Sequence, residues 1–389
     1  MRVDQTMLED RVLVCGAGPA GASFALLIDE LSAGQQRPLL LDARSLADAR
    51  ADRRLIAVSE GSRVLLRRVG AWSDDLGTPI HRIHVSRRGA FGRCLIDRDD
   101  YQQEALGWVV EYGALVGQLN AALQARGIEV LRPRRVLDTE CAPEESQVSL
   151  DDGQRLSARF IVHAEGTQFA AARTDNRAHD YQQTALTAFV TCALPQPNLA
   201  WERFTDSGPL ALLPARRDGR DGLYLVWCCA PDKAQRLAQL ADEEFLVALW
   251  QEFGDRLGRF ASVGGRQMFP LALQAVADPA REREFAIGNA AQSLHPVAGQ
   301  GLNLGLRDAF TLARLMSEAG VDAARLCSDY RRARRRDRAA TVNLTDALAR
   351  VFVPRALPLS LMRTAALTFL DMVPAARGIL ARQMMDGQR

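Results

Sequence analysis

The sequence predicts an α/β fold in three parts: a discontinuous Rossmann-like nucleotide-binding domain, a β-sheet domain inserted into it, and a helical C-terminal region. Three observations predict it. A strand–glycine turn–helix–strand unit opens the chain, and a strand–glycine loop–helix unit recurs near residue 300. Between them the middle third alternates apolar and polar positions and carries Pro and Gly turns.

Arg11 to Cys15 (RVLVC) reads as a short buried strand, followed by a glycine turn and a small-residue helix to about Leu31. Pro38 to Asp42 (PLLLD) supplies the second strand of a βαβ unit. Tyr112 to Arg126 reads as a helix, with apolar positions at Leu115, Leu119 and Leu123. Arg159 to Ala164 is a further apolar strand that stops at a glycine. About Tyr181 to Phe269 holds alternating segments such as Leu223 to Cys228. Phe285 to Ile287 is a strand entering the second glycine loop, Asn303 to Met316 the helix leaving it, and the chain from about Ala323 onward is helical. These elements assign residues 8–72, 105–172 and 268–325 to the nucleotide-binding domain, 73–104 and 173–267 to the inserted domain, and 326–389 to the helical region.

Gly16-Ala17-Gly18-Pro19-Ala20-Gly21 follows a strand and opens a helix, the context that a G-x-G-x-x-G fingerprint requires. Gly16 permits the tight turn, Gly18 lets the backbone approach a pyrophosphate, and Gly21 lets helix pack on strand. Free N–H groups at the helix start face the phosphates, and Pro19 suits a first-turn position that needs no donor. Asp42, ending the second strand, is placed to accept hydrogen bonds from ribose hydroxyls. The alternative is a glycine turn without a ligand. The fingerprint alone does not separate FAD from NAD.

Composition narrows the function classes. Of 389 residues, 48% are hydrophobic and 25% charged, the balance of a soluble globular protein, and a net charge of +2 gives no field that would favour nucleic acid. Seven scattered cysteines form no C-x-x-C pair and five histidines show no zinc-type spacing, which predicts no metal and a reducing compartment. The first ten residues (MRVDQTMLED) are unlike a signal peptide, so a cytoplasmic protein is expected. Val351 to Pro374 is apolar but broken by Pro354, Arg355, Pro358, Arg363 and Asp371, so it is not expected to span a membrane. It reads either as helices on the protein's own core or as an amphipathic surface.

The second loop, FAIGNAAQSLHPVAGQGLNLGLRD over residues 285–308, places Gly288, Asn289, Gly299 and Gly301 before a helix that includes Leu302 and Asn303. Such a loop brings backbone N–H groups and a helix N-terminus against a flat, electron-rich ring. With the N-terminal fingerprint, Arg54-Leu-Ile-Ala-Val-Ser, Pro79-Ile-His-Arg-Ile-His-Val-Ser, Glu104-Ala-Leu-Gly and Ala164-Glu165-Gly166, it resembles the aromatic-ring flavoprotein hydroxylases of the para-hydroxybenzoate hydroxylase type over nearly the whole chain. It is more similar still to the ubiquinone-biosynthesis hydroxylases. Arg203-Phe204-Thr205, Gly208-Pro-Leu-Ala-Leu-Leu-Pro and Val226-Trp-Cys resemble the branch acting on 2-polyprenyl-6-methoxyphenol.

The resemblance implies FAD as cofactor, with NAD(P)H and molecular oxygen as co-substrates. It implies ring hydroxylation para to the existing hydroxyl through a C4a-hydroperoxyflavin. The FAD-binding set carried over is Gly16, Ala17, Gly18, Ala20, Gly21, Asp42, Arg54, Glu165, Gly288, Asn289, Gly299, Gly301, Leu302 and Asn303. Arg54 falls where relatives place an arginine near the FAD phosphates. Asn289 stands where most relatives carry aspartate, and it keeps an acceptor oxygen while adding donors. Glu165 replaces an aspartate that links flavin and nicotinamide binding. The implied partners are a polyprenyl phenol substrate, other ubiquinone-biosynthesis proteins and the inner membrane face, touched peripherally.

Other residues stay open between two readings. His295 and Pro296 lie near the expected flavin ring, His295 as proton carrier or as a loop residue bonded to backbone. His81 and His84 sit on an alternating strand expected to face the ring pocket, lining it or occupying surface or core positions. No catalytic base is assigned, since hydroxyl and methoxy donors already activate the ring. Arg331 to Arg338 is a solvated basic helix face, or a contact for anionic lipid or an acidic partner.

Overall fold

In the computed structural model, which describes residues 11–89, 93–141, 146–166, 176–295, 299–318 and 322–352, β1 (Val12–Cys15) turns through Gly16 to Gly18 into α1 (Pro19–Leu31) and returns as β2 (Leu39–Leu41). Every residue of both strands is buried, as the unbroken apolar runs dictate. α2 (Leu46–Arg50), β3 (Leu55–Ser59) and α3 (Glu60–Arg68) follow. Ser45 and Ser59 cap those helices by accepting from the N–H groups of Asp48 and Ser62. The chain then forms β4 (Gly77–Ile80), β5 (Arg82–Arg87), β6 (Arg93–Asp97), β7 (Gly107–Glu111) and α4 (Tyr112–Ala125). Five shorter strands come next: β8 (Val130–Leu131), β9 (Val136–Cys141), β10 (Ser146–Leu150), β11 (Arg155–Ala158) and β12 (Phe160–His163).

The middle third supplies β13 (Asn176–Cys192), β14 (Leu199–Thr205), β15 (Gly208–Arg217), β16 (Arg220–Cys229), α5 (Pro231–Gln239), α6 (Asp242–Phe253) and β17 (Phe260–Val276). The last elements are β18 (Ala280–Arg281), β19 (Glu284–Ala286), β20 (Gln292–Ser293), α7 (Gln300–Met316) and α8 (Ala323–Phe352).

The nucleotide-binding sheet runs β18-β19-β12-β1-β2-β8. β1 lies parallel to β2 and β12, and β12 parallel to β19, so strands near residues 12, 40, 160 and 285 share one layer. One face of it is covered by α1, α4 and α7 through a core that includes Phe24, Leu119 and Leu312. The other face meets the three-stranded sheet β11-β10-β9 across Leu13, Ile161 and Val148. A second large sheet, β20-β17-β13-β16-β15-β14-β5-β6, has eight strands. α5 and α6 cover its outer face over Leu186, Leu225 and Trp227. Its inner face meets the small sheet β3-β7-β4 at Leu55, Ile80, Ala200 and Tyr224.

The α/β architecture expected from the sequence is present. β4 pairs with β7 in the small sheet, and Ile80 packs against Ala200 and Tyr224 of the large sheet. β17 continues past residue 268, because its pairing with β13 runs unbroken in direction from Phe260 to Val276. Helix α7 begins at Gln300, three residues before Asn303, after Gly299 adopts a left-handed φ of 59°. Pro296, the first ten residues and the stretch from 353 to Pro374 lie outside the described residues.

Candidate active site

Gly16 turns with φ 101°, and a Cβ there would lie 2.5 Å from the Ala164 carbonyl oxygen. A Cβ on Gly21 would fall 2.0 Å from the Gly16 carbonyl, so helix and strand touch through both glycines. Asp42 is buried at the end of β2, where one oxygen accepts from the Ala17 N–H at 2.9 Å and the other from the Arg44 N–H at 2.8 Å. This carboxylate shapes the turn while its remaining lone pairs stay available for ribose hydroxyls.

Arg132, which the sequence reading did not single out, lies beside them. Its Nη2 donates to the Ala17 carbonyl at 3.0 Å and sits 3.7 Å from Asp42. Its Nε and Nη1 are buried without a hydrogen-bond partner among the described residues. Buried guanidinium donors left open next to a glycine cradle suit a phosphate or nucleotide acceptor, so the residues present fit a dinucleotide. No local motif marks Arg132; only the β2–β8 pairing brings it there.

Arg54 stands at the cradle's other edge. It is paired with Asp52 at 2.9 Å, and its guanidinium lies 5.0 Å from the Tyr112 ring centroid and 5.6 Å from that of Phe269. Tyr112 starts α4 with its hydroxyl 3.1 Å from where a Gly18 Cβ would be. Arg54, Tyr112 and Gly18 therefore form one rim.

Glu165 follows β12 next to Gly166, but its carboxylate turns back into the protein. Its Oε2 lies 3.0 Å from His163 Nδ1, and His163 Nε2 is 3.4 Å from Glu284, which accepts from Thr139 Oγ1 at 2.7 Å. Burial opposes a charged imidazole, yet the two carboxylates hold His163 up to about 9. The same pairing, against burial, draws Glu284 down to about 2. Cys15, His163 and Glu165 place ligand-type atoms within 4.8 Å of one another. Both imidazole nitrogens already face carboxylates, so His163, Glu165 and Glu284 form an ion triad with the Cys15 thiol beside it.

The second glycine loop crosses α1 and α7 at contact distance. A Cβ on Gly288 would sit 3.0 Å from Ala20 Cβ, and one on Gly305 would sit 2.8 Å from Gly288 Cα. Gly305 escaped the sequence reading because nothing local shows that helix and loop meet. Asn289 is exposed, and Gly301 opens toward its Oδ1. Asn303 is buried and committed elsewhere: Oδ1 accepts from the Ser59 N–H at 2.9 Å, and Nδ2 donates to the Gly299 carbonyl at 2.9 Å. It fixes the loop to β3. Leu302 packs against the same core, and Gly299 abuts Ala57.

His295 is buried, with Nε2 3.0 Å from Gln183 Oε1 and its ring edge-on to Tyr181 at 5.1 Å. Burial lowers it to about 4, so it is a neutral imidazole joining the glycine loop to β13 of the large sheet. His84 points to the large sheet's outer face, its ring centroid 4.6 Å from that of Trp201 and tilted 44° to it, with Nε2 2.7 Å from Arg256. It is a core residue, and its neighbours Ile83 and Val85 take the inner face. His81 precedes β5, partly exposed. The seven cysteines are all free thiols.

The basic run divides along α8. Arg334 is buried and bonds Asp308 and Asp337, each at 2.7 Å, while Arg338 donates to Gln292 and to the Ala291 carbonyl. Arg332, Arg335 and Arg336 are exposed. No described helix is long and apolar enough to cross a membrane.

Residues 9–345 match the FAD binding domain family. The chain is 31% identical to ubiquinone hydroxylase UbiL of Rhodospirillum rubrum, over 96% of this chain and 89% of that one. It is 28% identical to the mitochondrial ubiquinone biosynthesis monooxygenase COQ6 of Homo sapiens, over 91% and 87%. Its fold is similar to that of p-nitrophenol 4-monooxygenase PnpA from Pseudomonas putida, with a TM-score of 0.77 at 16% identity over 98% of this chain and 99% of that one.

Proposed function

Since the chain belongs to the FAD-dependent hydroxylase family of ubiquinone biosynthesis, an enzyme family using FAD, NAD(P)H and oxygen, we propose that it hydroxylates a 2-polyprenyl-6-methoxyphenol para to its hydroxyl. The product is the corresponding 2-polyprenyl-6-methoxy-1,4-benzoquinol. The observation that carries this reading is the meeting of the second glycine loop with the inner face of the large sheet, through His295, Gln183 and Tyr181. A ring held there lies between a flavin-type loop and an apolar wall that includes Ala185, Val226 and Leu271.

FAD bound in this cradle would supply hydride acceptance from NAD(P)H and the activation of dioxygen for transfer of one oxygen atom. The protein's part is placement and exclusion of water. Gly16, Gly18, Asp42 and Arg132 hold the dinucleotide, with Arg54 and Tyr112 at its edge. Asn289 and Gly301 offer amide and backbone donors toward the ring system, while the Gly288 N–H is held by Asp308. Neutral His295 adds no charge beside an aromatic substrate. The exposed arginines of α8 suit a peripheral contact with an anionic membrane that carries the prenyl tail.

Incubation with NADPH, isotopically labelled oxygen and a short-chain 2-prenyl-6-methoxyphenol tests the assignment. The expected product carries one labelled oxygen para to the original hydroxyl. A label at another ring carbon would assign the chain to a sister step of the same pathway. Flavin turnover without a label in any phenol would favour a flavin-bound assembly subunit.

A further inference from the structure

β14 presents alternate residues to two different environments. Leu199 and Trp201 enter the outer core under α5 and α6, whereas Ala200 packs on the inner face with Leu55 and Tyr224. Alternation therefore puts Glu202 and Phe204 on the inner face, the side from which His295 approaches. Register surrounds Glu202 with apolar neighbours: Val85 on β5, Ala211 on β15 and, next across, Val226 on β16.

Cys228 lies close enough on the same patch to feel the charge of Glu202, and Cys228 packs with Ala185, Leu271 and Tyr181. Tyr181 in turn meets His295 edge-on. The patch is thus continuous from Glu202 to the second glycine loop. Among the described residues no cation or hydrogen-bond donor reaches the Glu202 carboxylate. Arg203, next in sequence, points outward, where its Nη1 donates to Ser86 Oγ at 3.2 Å. The titratable and charged groups on or against the inner face include Cys94 beside Val85, Cys228, Tyr181 with His295, Tyr224 with Arg54 and Arg217 near it, and Arg87 at the sheet's edge.

A carboxyl with no structural partner in an apolar wall costs stability, so its presence there calls for a ligand. We propose that Glu202 is the general base of the hydroxylation, accepting the proton of the phenolic hydroxyl. This rests on the aromatic-hydroxylase reading above. The O–H bond breaks toward Glu202, and the phenolate electron pair shifts into the ring. The para carbon then forms its C–O bond to one oxygen atom of dioxygen and loses its hydrogen as a proton. The second oxygen atom leaves as water, NAD(P)H having supplied the two electrons. Glu202 afterwards returns its proton to solvent.

Two comparisons favour Glu202 over the other candidate. Burial raises its carboxyl to about 7, near a working pH, while His295 is lowered to about 4 and makes a far weaker acceptor. His295 Nε2 is also engaged by Gln183.

Glu202→Gln and Glu202→Asp test the assignment with the full-length flavoprotein, NADPH, oxygen and a short-chain 2-alkyl-6-methoxyphenol. Glu202→Gln is expected to bind FAD and accept hydride at the wild-type rate. Its coupled hydroxylation should fall about 100-fold, the scale of one general base, with the electrons appearing as hydrogen peroxide. The wild-type coupled rate should rise with pH through about 7, the Glu202→Gln rate should not, and Glu202→Asp should recover part of the activity. A folded-state carboxyl raised above its unfolded value loses stability as pH rises through the raised value, so Glu202→Gln should melt no lower than wild type at pH about 8. Wild-type coupling and an unchanged pH profile in Glu202→Gln would overturn the assignment, and so would joint loss of flavin and stability. A wild-type enzyme that reduces its flavin but never oxygenates the phenol would instead overturn the aromatic-hydroxylase reading on which the assignment rests.

Discussion

His163 is buried with Glu165 at one ring nitrogen and Glu284 at the other, so its charge state is coupled to folding. Its folded value of about 9 exceeds the 6.5 of a free histidine. Stability from this group is complete below pH 6.5 and is lost as pH rises from there through about 9. Glu284, at about 2 against 4.5, reports the other side of the same contact, whose contribution is lost as pH falls from 4.5 through 2. Urea unfolding across pH 6 to 10 should show wild-type stability falling through that alkaline window, and a flatter curve for His163→Gln. Parallel curves would show that the triad contributes nothing. The residues of the glycine fingerprint were legible in the sequence because their spacing is local and each has a steric reason. The partners of Glu165 were not, since Glu284 lies 121 residues from His163 along the chain. Arg132 and Glu202 were missed for a similar reason: one reaches its place through parallel strand pairing, the other through alternation in a strand whose facing layer is not visible in sequence.

Helix α8 shows how an element can be identified while its faces are misread. A run of arginines has no apolar periodicity, so composition alone favours a solvated face. The structure turns Arg334 and Arg338, one helical turn apart, toward the loop that carries Gly288. Asp308 joins both sides: it accepts from Arg334 Nε at 2.7 Å, from the Gly288 N–H at 3.2 Å and from Gln292 Nε2 at 2.7 Å. The helix therefore holds the second glycine loop through ion pairs. Arg334→Met leaves Asp308 and Asp337 buried with less compensation, and should destabilise the protein by about 3–5 kcal/mol. It should also weaken FAD retention, measured by flavin content after gel filtration. The exposed Arg335→Met should change neither within about 0.5 kcal/mol. Equal effects of the two substitutions would contradict this division of the helix.

Across the whole molecule, the nucleotide-binding layer is assembled from strands near residues 12, 40, 130, 160 and 285, and the strands of the large sheet, β20 apart, come from the segments between them. The two glycine units made that discontinuity readable, because each shows strand, turn and helix in sequence. The length of β17 was less readable: it passes residue 268 without a turn because its pairing with β13 continues to Val276. Gly288 meets Ala20 of the cradle's helix, and His295 joins the second glycine loop to the inner face of the large sheet through Gln183. The proposed function requires that flavin reduction and aromatic oxygenation occur in the same chain. The most direct test is the visible spectrum of the purified protein loaded with FAD, recorded under anaerobic NADPH and again after air and a methoxyphenol are admitted. The expected result is a bound-flavin spectrum that bleaches with NADPH and returns with air as the phenol gains one oxygen. A protein that retains no flavin when offered excess FAD would contradict it.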